Sequence, residues 1–105
     1  EAYKELAVMY DVQGLHEKAG ENYNKCIEYC PYHVEALYRG AVKMYMFKND
    51  KLGEKYLQRC LEVQAKNVSE VTIPFLKDCT DLAKKMGVIS EYERSGKDKQ
   101  QIDAD

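Results

Sequence analysis

The chain holds 105 residues, room for one compact unit at about 100–200 residues per domain. With 45% apolar and 32% charged residues it is neither a disordered nor a collagen-like chain. Sixteen Lys and Arg against eighteen Asp and Glu leave a net charge of −2, too small to recruit nucleic acid, an anionic membrane or a polyacidic substrate. No apolar run approaches the ~20 residues that span a bilayer, and no charged-then-apolar leader opens the chain. Glu1 stands where an initiator Met would, as in a fragment cut from something longer.

Ala2, Tyr3, Leu6, Ala7 and Tyr10 recur with the 3.6-residue period of a helix buried along one stripe, and Gly14 interrupts them. Leu15, Ala19, Tyr23, Cys26, Ile27 and Cys30 continue the period until Pro31 stops it. So short a gap makes the two helices antiparallel neighbours, a helical hairpin over residues 1–31. A third helix is expected from Val34 to Lys48, with Leu37, Gly40, Ala41, Met44 and Phe47 on its stripe. Asn49 and Asp50 break it and cap a fourth helix, expected from Lys51 to Gln64 and carrying Leu52, Tyr56, Leu57, Cys60, Leu61 and Val63. After residue 67 the register slips by about five residues. Pro74 fits the first turn of a fifth helix capped by Thr72, with Leu76, Cys79, Thr80, Ala83 and Gly87 in the slots of the earlier units. A short sixth helix would start near Ile89 or Ser90 and carry Tyr92, and residues 95–105 have no periodic apolar face and are expected to fray.

Offsetting the chain against itself by 34 residues aligns Ala2 with Ala36, Ala7 with Ala41, Val8 with Val42, Cys26 with Cys60 and Glu28 with Glu62, among others. A fixed offset is the mark of a repeat array. Small residues at Ala7, Ala19, Gly40, Ala41 and Gly53 are what two helices need to cross at ~8–10 Å. Four Cys without CxxC spacing read as reduced thiols, with Cys26 and Cys60 as small packing residues, which suits a cytoplasmic or nuclear protein. Cys26, Cys30 and His33 lack a fourth ligand for a metal, and Asn67-Val68-Ser69 matches a glycosylation sequon by pattern alone.

The sequence resembles the tetratricopeptide repeat (TPR) family, whose pattern sets a large residue, Leu-Gly, Tyr, a small residue, an aromatic and a closing Pro. Tyr3, Leu6, Ala7, Tyr10, Gly14, Ala19, Tyr23, Cys26 and Pro31 answer it in the first unit. Leu37, Gly40, Ala41, Met44, Gly53, Leu57 and Cys60 answer it in the second, with Ala65 where the closing Pro would stand. The resemblance implies an all-α fold of antiparallel hairpins stacked as a right-handed solenoid, about five helices plus a short or frayed sixth. Its repeats would cover about 1–33, 34–67 and a degenerate 72–94, with a disordered tail over 95–105.

No phosphate loop, HExxH or GxSxG is present, so neither catalysis nor a cofactor is expected. Tyr38, Val42, Tyr45 and Met46 add a second apolar stripe to the third helix. It is either sandwiched between neighbouring helices or lines the groove that the first helix of each hairpin makes in the family. The family's groove positions map onto Lys4, Ala7 to Val8, Asp11, Tyr38, Arg39, Val42, Tyr45, Lys77 and Asp81. The expected partner is therefore a protein or peptide, not nucleic acid or a membrane, and self-association or a larger assembly stays open. A purely architectural segment of a longer array is the alternative, and an RNA-binding helical repeat is a weaker one. The clamp with which some family members hold a chaperone's carboxyl terminus is not matched. Lys4 fits its first Lys, but Val8 and Arg39 stand at its two Asn slots, and Pro74 and Asp78 at its second Lys and its Arg.

Overall fold

A computed structural model describes residues 2–66 and 73–88. They form five helices: α1 (Ala2–Val12), α2 (His16–Tyr29), α3 (Val34–Met46), α4 (Asp50–Lys66) and α5 (Leu76–Lys85). No strand occurs among the described residues. The expected sixth helix and the tail over 95–105 lie outside them, as does Thr72.

Three helices end in the same way. Past α1, Leu15 N–H donates to the Tyr10 carbonyl (2.8 Å) and Gly14 N–H to that of Asp11 (3.0 Å). Past α3, Asn49 donates to Met44 (2.7 Å) and Lys48 to Tyr45 (3.1 Å); past α5, Val88 donates to Ala83 (2.8 Å) and Gly87 to Lys84 (3.2 Å). Each is a Schellman closure, which needs a left-handed residue just beyond the helix. Gly14 (φ 80°), Lys48 (φ 65°) and Gly87 (φ 75°) supply it. Lys48 stands 34 residues after Gly14, and Gly87 stands 39 after Lys48, which is the repeat length plus the five-residue slip. α2 instead stops at Cys30, before Pro31, and His33 caps α3 by accepting the Ala36 N–H at Nδ1 (3.2 Å).

Each helix packs on the next in sequence, and α3 also packs on α5. Ala7, Ala19, Gly40, Ala41 and Gly53 are all buried where helices meet. A Cβ on Gly40 would lie 3.1 Å from Ile27 Cδ1, and one on Gly53 2.8 Å from the Tyr45 ring, so both sites require glycine's bare backbone. Tyr23, Leu37 and Leu57 fill the space beside these crossings with no exposed surface. Tyr3 at the start of α1 stacks on Tyr29 at the end of α2, with centroids 5.6 Å apart and rings nearly parallel. The Lys25 ammonium lies 5.7 Å over the Tyr3 ring.

Four expectations are corrected. Leu6, assigned to the core, is 40% exposed. Its counterpart 34 residues on, Gly40, is buried against α2, but no described helix covers the outer side of α1. Pro31 ends α2 yet is itself exposed in the turn. Cys60 is not a reduced thiol: it is joined to Cys79 of α5 by a disulfide, with Cα atoms 6.3 Å apart and inside bridging range. Finally, α5 begins at Leu76 after a turn at Pro74 and Phe75, so Pro74 lies before the helix and not in its first turn.

Lys48 carries the left-handed conformation without glycine's freedom, at a cost of about 1 kcal/mol. Lys48→Gly should therefore raise stability by about 0.5–1 kcal/mol, seen as a higher urea midpoint at unchanged slope; a lower midpoint contradicts this reading of the turn.

Candidate binding face of α1, α3 and α5

α1 and α3 are tied by two polar contacts. Lys4 Nζ reaches Glu35 Oε1 at 3.4 Å, and Glu35 Oε2 in turn accepts from Arg39 Nε at 3.0 Å, one helical turn on. The Arg39 guanidinium lies 5.3 Å over the Phe75 ring, and Tyr38 stacks on the same ring at 6.3 Å. A chain of contacts thus runs from α1 through α3 to the entrance of α5. Phe75 holds that position with a left-handed backbone (φ 67°), which no feature of the sequence signals in a non-glycine residue.

The second tie is buried. Lys43 is only 4% exposed, and its ammonium pairs with Asp11 Oδ1 (2.5 Å) and donates to His16 Nδ1 (2.8 Å). A charge so far from water must be neutralised in place. Asp11 is therefore engaged by a residue of its own chain. Lys43 and His16 were absent from the expected site. The available signal was a lone Lys on a mostly apolar helix, which demands a counter-charge that spacing cannot identify.

The other expected site residues are dispersed. Val8 is half-buried against Ala7, Ala19 and Tyr23, and Val42 is half-buried on α3. Tyr45 lies against Gly53 of α4 and packs within its own hairpin. Lys77 and Asp81 are exposed, one turn apart on α5, and form no ion pair among the described residues. Met46 is 49% exposed. Of the expected set, then, Lys4, Tyr38 and Arg39 are brought together, through Glu35 and Phe75.

Beneath this face lies Tyr23, wholly buried, its hydroxyl without a hydrogen-bond partner among the described residues. Burial pushes its pKa up to about 12, partly offset by the nearby Arg39 guanidinium and reinforced by Asp11 and Glu35. Burial likewise raises Tyr45 and Tyr56, the latter donating to Asn24 Oδ1 at 2.6 Å, while the hydrogen bond to Glu62 raises Tyr32.

Among the described residues no group of His, Cys, Asp and Glu converges as a metal site. Cys26 is buried, Cys30 is exposed, and the His33 ring caps α3. Hollows of about 360 Å³ lie between α2 and α4, walled by Asn24, Lys55 and Arg59, and beside Tyr32 and Ile73. Neither includes an expected site residue. No helix among the described residues is long and apolar enough to cross a membrane. The cytoplasmic expectation rested on reduced thiols, and the Cys60–Cys79 bond withdraws that support. Against protein-family models, curated proteins and solved structures, the chain finds no match.

Two measurements test these assignments. Asp11→Ala should cost about 2–3 kcal/mol by leaving Lys43 buried and unpaired, and adding Lys43→Met should return at least half of it; additive losses would show that no such pair exists. The unfolded chain ionises its tyrosines near pH 10, before Tyr23 can ionise in the fold. Stability due to the neutral phenol is thus intact below that pH and falls as pH rises toward 12. Tyr23→Phe should flatten this alkaline decline in the urea midpoint without removing it, because Tyr45 and Tyr56 contribute in the same direction.

Proposed function

We propose that the chain is a TPR-type repeat module, hairpins stacked as a right-handed solenoid, that binds a protein segment without catalysis on the face made by α1, α3 and α5. The recurrence of one helix closure at Gly14, Lys48 and Gly87 carries this reading. Odd-numbered helices that end alike, each leading a hairpin or its remnant, are what a stack of equivalent units requires. The resulting face offers Lys4, Arg39 and the Tyr38–Phe75 pair at its centre and Lys77 and Asp81 on α5. Arg and Tyr are the residue types that most often dominate binding energy. Tyr38 and Tyr45 both pack on neighbouring residues, so the informative substitutions are at more exposed charges.

A second reading, an architectural segment of a longer array, is favoured by Leu6, Met9 and Val12, which leave the outer side of α1 apolar and 40–83% exposed. In α3 the counterparts of the first two, Gly40 and Lys43, are buried.

The test immobilises the chain, captures proteins from a cell extract and compares Arg39→Ala with Lys77→Glu combined in one variant. The groove reading expects specific capture to be lost at a melting temperature within a few degrees of the parent. Undiminished capture by the variant overturns it. Concentration-dependent self-association abolished by Met9→Lys would support the architectural reading instead.

A further inference from the structure

Cys60 and Cys79 sit at repeat slots whose counterparts one unit earlier are Cys26 and Gly40. The earlier pair cannot form a bridge, and Cys26 is a free buried thiol; the later pair is bonded and fully buried. The boundary between the first two units is thus held by close approach at Gly40, and the one between α4 and α5 by a covalent bond.

α5 has reason to need it. At ten residues it is shorter than the ~12–15 that sustain a helix in water, and it buries only Leu76, Cys79, Thr80 and Ala83. It enters through Phe75 in a left-handed conformation, so its first residue opposes docking instead of assisting it. Docked, it holds Phe75 against Tyr38 and Arg39.

We propose that the Cys60–Cys79 disulfide is a redox-operated clasp that decides whether α5 stays docked on α4, and with it whether Phe75 stays on the α3 face. The reductant is a dithiol. Its thiolate attacks one buried sulfur, the Cys60–Cys79 bond breaks, and the mixed disulfide is resolved by the second thiol. The dithiol gives up two electrons and two protons and closes its own disulfide, while Cys60 and Cys79 each end as S–H. Because both sulfurs are buried, the attack must wait for α5 to lift from α4. The clasp stands independently of what the face binds.

The test uses the whole chain, oxidised with glutathione disulfide and then treated with dithiothreitol. N-ethylmaleimide under denaturing conditions should add twice to the oxidised chain, at Cys26 and Cys30, and four times after reduction. Hydrogen exchange of α5 amides should quicken about 100-fold on reduction, the scale expected on opening a loop of this size, while α1 and α2 stay unchanged. Cys79→Ala should show the faster α5 exchange with or without reductant. Four adducts on the oxidised chain, or α5 protection indifferent to dithiothreitol, would overturn the proposal.

Discussion

Helix axes that approach closely enough to exclude side chains at their crossings are the constraint on which the other features rest. Gly40 and Gly53 leave space that Ile27 and the Tyr45 ring occupy, and Ala7, Ala19 and Ala41 are buried without remainder. Glycine inside a helix costs about 1 kcal/mol against alanine, so its presence at both points means that the close approach returns more than propensity loses. With the axes that near, the long side chains beside them have fixed partners. Tyr23 and Leu37 are wholly enclosed, and the Lys43 ammonium can reach Asp11 on α1 and His16 at the start of α2.

Polar and covalent contacts then reinforce places that apolar packing covers thinly. α1 is joined to α3 through Lys4–Glu35 and Asp11–Lys43, and α5 to α4 through a disulfide. The two ends differ in kind. Asp11–Lys43 holds by charge within an enclosed setting, where loss of one partner is costly. Cys60–Cys79 holds by a bond that chemistry outside the chain can make or remove.

Most of the helical framework was legible because it is periodic. A 3.6-residue stripe located four helices to within two residues at their starts, and Gly14 and Gly87 marked turns that want a left-handed residue. The 34-residue offset even put Lys48 in the same slot. What escaped was what depends on distance through space. Leu6 has the same stripe as its buried counterparts, and periodicity carries no information on whether a neighbour lies outside it. Asp11 and Lys43 are 32 positions apart on different helices. Cys79 meets Cys60 only because the connection before α5 sets that helix in register, after an insertion that spacing could count but not shape. Phe75 was passed over for a related reason: an aromatic at positive φ is uncommon, and the sequence favoured a helix beginning at Pro74.

The stacked pair Tyr3 and Tyr29 gives the chain an optical property of its own. With nine tyrosines and no tryptophan, its near-ultraviolet signal is a tyrosine signal. Two parallel rings 5.6 Å apart, one at the start of α1 and one at the end of α2, couple their electronic transitions only while the first hairpin is closed. The fold therefore contains a chromophore pair that reports separately on its first hairpin, at the opposite end from the disulfide.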